Sequence, residues 1–148
     1  MDALELLKED HEKVKALFEE AEGTEDPTER NRIFSEIQAE LETHARIEET
    51  VFYPAMQEHE DLKEMVLESI EEHRQIKTLI KEIDKLKSDS EKFEPKMKVL
   101  MENVEHHAEE EEEGKMFPKI REICSQEDLA ELGTELEAAK SQRKRKAS

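Results

Sequence analysis

Apolar residues recur at steps of three and four positions through nearly the whole chain, which is the period of an α-helix buried along one face. Gly23, Pro27, Pro54 and the polar stretch at 87–91 interrupt this pattern. The uninterrupted stretches predict four long helices, with apolar stripes at residues 4–21, 33–52, 66–83 and 97–104. Because the helices are similar in length and their connections are short, we expect an all-α fold, an antiparallel up-down-up-down four-helix bundle.

A further helix and a basic tail are expected after the bundle. Ser125 suits a helix N-cap, with Asp128 at the capping-box position, and a short amphipathic segment follows. The sequence therefore predicts a four-helix bundle at residues 1–122, a short C-terminal helix packed on it at 123–140, and a disordered basic tail at 141–148.

The composition supports helices and limits the partners. The chain has 148 residues, of which 34% are hydrophobic and 43% charged, with three glycines and four prolines. Acidic chains with few aromatic residues are often disordered, but the regular apolar stripes contradict that alternative. The net charge of −18 argues against nucleic acid or an anionic membrane as the main partner.

Cysteine usage and the absence of long apolar stretches indicate the compartment. Cys124 is the single cysteine and has no partner for an internal disulfide. The first residues lack the apolar core of a signal peptide, and no stretch is apolar for long enough to span a bilayer. We therefore expect a cytoplasmic protein without a membrane partner.

Histidines and glutamates occupy positions on the apolar stripes. One His lies on the first predicted helix and one on the third, whereas the second and fourth each carry a His followed four residues later by a Glu. Residues four apart on a helix point within roughly 40° of each other, so each His and its Glu face the same way. The six residues are His11, His44, Glu48, His73, His107 and Glu111.

These six residues are also expected at one depth of the bundle, about 9 to 14 residues from a common end at about 1.5 Å each. A lone buried His usually has only a structural role, but two buried glutamates without a cation would repel each other or take up protons. A metal site explains the cluster better. Imidazole and carboxylate without thiolate suit iron, manganese or zinc, and six ligands suit two metals bridged by carboxylates better than one tetrahedral zinc.

The chain also contains an internal repeat. The segment "DHEKVKALF" at 10–18 resembles "EHRQIKTLI" at 72–80, and "HARIEETVFYP" at 44–54 resembles "HAEEEEEGKMFP" at 107–118. The chain is therefore interpreted as two copies of a helix pair. Asp10 and Glu72 directly precede the first His of each copy and are considered as hydrogen-bond acceptors around the metal site, although the interpretation without such a role is favoured.

With a His, then His-x-x-x-Glu and an aromatic-Pro ending repeated twice in order, residues 1–120 resemble the hemerythrin family, specifically its HHE cation-binding branch. The resemblance implies a non-haem di-iron centre inside a four-helix bundle. It also implies that two glutamates bridge the irons together with an oxo or hydroxo group. The implied ligands are His11, His44, Glu48, His73, His107 and the helix-four Glu.

Two positions depart from the family pattern. His107 is one residue further from Pro118 than His44 is from Pro54. On an unbroken α-helix Glu111 faces the same side as His107, whereas Glu112 lies about 140° away, so Glu111 is preferred. A π-bulge would bring Glu112 around instead, and Glu112 is kept as the alternative.

The second departure is Lys77, which stands where oxygen-carrying hemerythrins have a further His. Lys15 takes the matching place on the first helix. Because an ammonium group is a poor ligand, one metal is left with an open or water-filled position. This argues against reversible oxygen carriage and permits reactive or sensory chemistry.

The sequence thus predicts a protein that binds two iron ions and a small molecule such as oxygen or nitric oxide, for sensing, storage or carriage. Zinc or manganese suits the same ligands. The alternative is a di-iron enzyme that reacts with peroxide, oxygen or nitric oxide, and a binding protein is favoured over it. No catalytic residue, organic cofactor or protein partner is assigned.

Overall fold

The computed structural model describes the backbone of residues 1–147 and the side chains of residues 1–142, and its regular elements in that part of the chain are all helical. This confirms the all-α helical bundle. The α-helices are α1 (Ala3–Glu22), α2 (Pro27–Ile47), α3 (Tyr53–Gln57), α4 (Glu60–Asp84), α5 (Phe93–Glu105), α6 (Phe117–Ile123) and α7 (Gln126–Ala147).

The second and fourth long helices each contain a π-helical segment. The first π segment (Glu48–Phe52) joins α2 to α3, and the second π segment (His106–Met116) joins α5 to α6 without a turn. Each ends two residues before a proline, which has no backbone N–H for the preceding turn. The π geometry adds a residue to the helical turn, and so it changes which side chains face the interior.

The helix α7 lies outside the internal repeat and packs against α1, α2 and the first π segment. Ser125 caps it as expected, since its hydroxyl accepts a hydrogen bond from the backbone N–H of Asp128 at 3.1 Å. Gly133 permits close packing here, because a Cβ at this position would lie 2.6 Å from the carbonyl oxygen of Met1. The side chains of residues 143–148, which make up most of the predicted basic tail at 141–148, lie outside the described residues. The predicted domain division stays a prediction.

The apolar core consists of two clusters. The first combines the start of α1 with the helices α3, α6 and α7 and the start of α4. The second combines the end of α1 with α2, α5 and the end of α4. Each of the four long helices contributes to both clusters, and its candidate ligand positions fall between the two contributions. A polar layer therefore crosses the bundle.

No helix in the described part of the chain is both long enough and apolar enough to cross a membrane.

Asp2 connects the start of α1 to the C-terminal helices. Its buried carboxylate caps α1 and accepts hydrogen bonds from Arg121 and Gln126, each at 3.1 Å. Burial raises the pKa of Asp2, but the hydrogen bonds from the Glu5 backbone, Gln126 and Arg121 lower it more, to about 2. Since the folded-state pKa is depressed, the carboxylate stabilises the protein above pH 4, and this contribution disappears as the pH falls towards 2.

Replacing Asp2 by Asn should lower the free energy of unfolding by about 2 kcal/mol at pH 7, because Asn keeps the cap but loses the charge facing Arg121. Urea denaturation between pH 7 and pH 3 tests this, and the difference from wild type should shrink below pH 4. Asp26→Asn is the control, since Asp26 is the exposed cap of α2. Equal losses in both variants would contradict the assignment.

Candidate metal centre

The polar layer brings together side chains from all four long helices. His11 comes from α1, His44 from α2 and His73 from α4. His107 comes from the second π segment, and Glu48 from the first. The side chains of these residues are buried or nearly so, and Glu48 is 0% exposed.

The four imidazoles face one another in pairs through their Nε2 atoms. His11 Nε2 lies 3.2 Å from His44 Nε2, and His73 Nε2 lies 3.0 Å from His107 Nε2. Two nitrogens bound to one metal at about 2.1 Å lie about 3.0–3.4 Å apart at bond angles of about 90–110°. Each pair therefore has the spacing of two ligands to a common cation.

Two glutamates link the histidine pairs. Glu48 Oε1 lies 3.2 Å from His44 Nε2 and 3.0 Å from His73 Nε2, so it reaches both pairs. Glu112 places Oε1 3.1 Å from His11 Nε2 and Oε2 3.4 Å from His107 Nε2. Two groups of four converging side chains result, and both contain Glu48 and Glu112. We call them the first half (with His11 and His44) and the second half (with His73 and His107).

Among the described side chains, two carboxylate oxygens of this layer find no hydrogen-bond partner, although they are buried. They are Glu48 Oε2 and Glu112 Oε1. His11 Nε2 is close to Glu112 Oε1, but not in a direction that forms a hydrogen bond. Burying an ionised oxygen without a partner is costly. A cation between the two carboxylates would satisfy both, so the donor set fits a metal.

The structure places Glu111 differently from the expectation. The carboxylate of Glu111 lies on the outer side of the helix, 3.2 Å from Lys115 Nζ and 3.5 Å from His106 Nε2. The preference for Glu111 assumed an unbroken α-helix, and that assumption is wrong because residues 106–116 are π-helical. In a π-helix the backbone hydrogen bonds join residues five apart, and the wider turn brings Glu112 to the buried side, with Oε2 3.4 Å from His107 Nε2.

Each imidazole donates a hydrogen bond from Nδ1 to a carboxylate. The acceptors follow the internal repeat, since one precedes the first His of each copy and one follows the buried Glu of each copy. In the neutral imidazole, which is the form that binds a metal, these bonds fix the tautomer and direct each Nε2 lone pair into the layer. The pairs are His44–Asp10 at 3.0 Å, His107–Glu72 at 2.6 Å, His73–Glu49 at 2.8 Å and His11–Glu113 at 2.7 Å.

The buried glutamates and histidines of the layer shift one another's pKa values. Burial raises the pKa of Glu48, but the charge of His44 and the nearby imidazole hydrogen bonds hold it well below its usual value. Burial lowers the pKa of His44, but Glu48 and Asp10 raise it to about 10. Burial and the charge of Glu48 raise the pKa of Glu112, yet His107 and His11 lower it more. Without a metal, imidazolium protons thus compensate the carboxylates, and a bound cation would take their place.

Tyr53 belongs to the centre, although the sequence pattern indicates only a core aromatic residue there. Its hydroxyl donates a hydrogen bond to Glu112 Oε2 at 2.5 Å and lies 3.2 Å from His73 Nε2 and 3.3 Å from His107 Nε2. The side chain is 1% exposed. The sequence feature that could have indicated this role is the position of Tyr53, directly after the first π segment and directly before Pro54.

Lys77 and the remaining two histidines of the sequence lie outside the layer. Lys77 Nζ pairs with Glu49, at 2.8 and 2.9 Å from its two oxygens, and half of its side chain is exposed. His106 is half exposed and bonds to Glu110 at 2.7 Å. His59 lies next to Cys124, with its Nε2 3.6 Å from Sγ.

A cavity of about 340 Å³ connects the layer with the surface. Its inner wall includes the four histidines, and exposed residues such as Lys77 and Arg46 form its mouth. Apolar side chains line the space between: Val14, Leu41, Ile76, Ile80 and Val104. This volume is sufficient for a small ligand to reach the histidines.

The fold and the paired ligand sets define a metal-binding four-helix bundle of the hemerythrin type. The family described as hemerythrin HHE cation binding domain matches residues 2–120, and the chain belongs to this family. A crystal structure of a hemerythrin HHE cation binding domain-containing protein from Mycobacterium kansasii is similar at 28% identity and a TM-score of 0.84. That similarity covers 96% of this chain and 86% of the other.

Two relatives are similar in sequence. A protein named DNA nickase from a Nostoc species is 30% identical over 144 residues, which cover 95% of this chain and 40% of that protein. An uncharacterized hemerythrin-like protein from Schizosaccharomyces pombe is 26% identical over 133 residues, which cover 88% of this chain and 65% of that protein. The chain thus spans less than two thirds of the length of either relative.

Proposed function

We propose that the polar layer holds two iron ions and that the protein binds oxygen or a related small molecule there. The observation that supports this best is the sharing of Glu48 and Glu112 by two histidine pairs. Carboxylate-bridged metal pairs are characteristic of helical bundles whose helices project Glu and His inward. Two histidines with a carboxylate and open positions are typical of non-haem iron, which favours iron over zinc.

The protein's own side chains would bind, orient and shield the metals. The carboxylates on each Nδ1 hold the imidazoles in one tautomer, and Glu48 and Glu112 span the two halves. The apolar cavity wall keeps bulk water away, while its volume admits a small neutral molecule. A pair of irons supplies, when bound, the capacity to bind or reduce such a molecule.

The position of Lys77 is evidence that one side of the centre is open. Its ammonium group is engaged by Glu49 at the cavity mouth, so it supplies no ligand to the layer. A small molecule entering through the cavity would reach both halves of the centre, since all four histidines line the inner wall.

Purified protein loaded with ferrous iron without air should contain about two irons per chain. Elemental analysis against protein concentration measures this ratio, and the optical spectrum after mixing with oxygen reports reaction at the centre. Protein that takes up no iron, or a single tetrahedral zinc in its place, would contradict the proposal.

A di-iron enzyme is the second candidate, and Tyr53 is the observation that favours it. Its hydroxyl offers a proton beside Glu112 inside a buried site, which a turnover reaction with peroxide would use. Repeated consumption of hydrogen peroxide that falls in Tyr53→Phe, with iron content unchanged, would favour the enzyme. Stable binding without consumption favours the binding protein.

The relative named DNA nickase is a longer protein, and this chain matches 40% of its length. The net charge of −18 disfavours a polyanionic partner here, since phosphate groups and surface carboxylates repel. A small molecule is therefore favoured as the ligand of this chain over a nucleic acid.

A further inference from the structure

The C-terminal helix α7 reaches the polar layer through one side chain. Lys140 Nζ forms an ion pair and a hydrogen bond with Asp10 Oδ1, and the other oxygen of Asp10 accepts the Nδ1 proton of His44 at 3.0 Å. The side chain of Asp10 is 7% exposed and that of Lys140 is 23% exposed. A chain of contacts therefore runs from α7 to a candidate ligand of the first half.

The second copy of the repeat lacks this contact. Glu72 takes the place of Asp10 and accepts the Nδ1 proton of His107, but among the described side chains no lysine or arginine pairs with it, and its other oxygen lies 3.6 Å from the half-exposed His106. Lys77 does face the outer carboxylate of His73, yet from within the repeat and with half of its side chain in water. Lys140 is thus a cation supplied from outside the repeat to one half of the centre.

A carboxylate as buried as Asp10 needs a compensating charge to remain ionised and fixed. Lys140 supplies that charge on the side away from the layer, so the opposite oxygen stays on His44 Nδ1. The hydrogen bond in turn orients His44 Nε2 towards His11. Loss of the ammonium group would leave Asp10 free to turn towards water.

We propose that Lys140 is a positioning residue of the metal centre, which holds Asp10 against His44 and so slows the release of metal from the first half. This inference rests on the proposed metal binding. Loss of the hydrogen-bond partner of a ligand typically lowers metal affinity by about 10–100-fold. Lys140 acts on such a partner, Asp10, so this range is the upper limit expected for one metal of the two.

The test measures how fast ferrous iron leaves the full-length protein when a strong chelator is added without air. The wild-type protein is measured first, and uptake of no iron would refute the proposed function as well as this inference. In Lys140→Met, one equivalent of iron should leave several-fold faster, by up to about 10–100-fold, while the second leaves at the wild-type rate. Lys140→Arg should restore slow release. Lys96→Met, which removes a lysine paired with Glu82 outside the layer, is the matched control and should behave as wild type.

Asp10→Asn provides an independent variant, because Asn keeps an acceptor for His44 but removes the charge that binds Lys140. If Lys140 acts through Asp10, adding Lys140→Met to Asp10→Asn should produce no further acceleration. A general loosening of the fold would instead accelerate both equivalents. Equal acceleration of both metals, an unchanged rate in Lys140→Met, or additive effects in the double variant would each overturn the inference.

Discussion

Replacing Glu112 by Gln is expected to remove most of the bound metal, whereas the same change at Glu111 should leave the metal content at the wild-type level. Glu112 is 0% exposed and its oxygens reach both halves of the centre, so the neutral amide removes a ligand and its charge from each half. Glu111 pairs with Lys115 on the outer side of the helix. We expect metal affinity to fall by more than about 100-fold in Glu112→Gln, beyond the range for outer partners.

Iron per chain after dialysis, measured side by side for the two variants, checks this prediction. The substitutions are chemically identical and lie one residue apart, so differences in net charge and helix propensity cancel. Circular dichroism confirms that both variants are folded. The reverse result, with metal lost in Glu111→Gln and kept in Glu112→Gln, would mean that the fourth helix is α-helical at this point in solution.

Complete removal of metal is expected to lower the melting temperature by about 10 °C. A ligand that binds only the folded state at about 1,000 times its dissociation constant stabilises it by about 4 kcal/mol. For a chain of this size each kcal/mol corresponds to roughly 2–4 °C. The layer crosses all four long helices, and without a cation Glu48 and Glu112 stay buried at close range.

Differential scanning calorimetry before and after chelation measures this change, and adding ferrous iron back should restore the original melting temperature. Glu111→Gln serves as the control that keeps its metal and should show the same drop on chelation. A melting temperature that does not change after complete removal would mean that the metal is not bound inside the bundle.

The sequence predicted the helices because their apolar stripes are long and regular, and helical periodicity depends only on local spacing. The same spacing predicted the inward direction of His44 and Glu48, which lie at the end of α2 and the start of the first π segment. It gave the wrong geometry for the segment after His107. Whether a helix becomes π-helical depends on a nearby proline and on which side chains are buried. Periodicity alone does not give this information.

The outer carboxylates were harder to predict, since an acidic residue next to a ligand is common on a helix surface. The structure nevertheless shows a regular rule, with Asp10 and Glu72 before the first His of each copy and Glu49 and Glu113 after the buried Glu. Comparing the two copies residue by residue would have suggested these four positions. Lys140 lies outside both copies, so no repeat could have indicated it.

The two copies of the repeat contribute equally to the centre, which bears on its evolutionary origin. The first helix pair supplies His11, His44 and Glu48, and the second supplies the other three candidate ligands. Each half of the centre takes both histidines from one pair and one carboxylate from each. Two identical hairpins related by a twofold axis would therefore already assemble the whole constellation. Such a centre is compatible with descent from a homodimer by gene duplication and fusion, after which the copies could diverge separately.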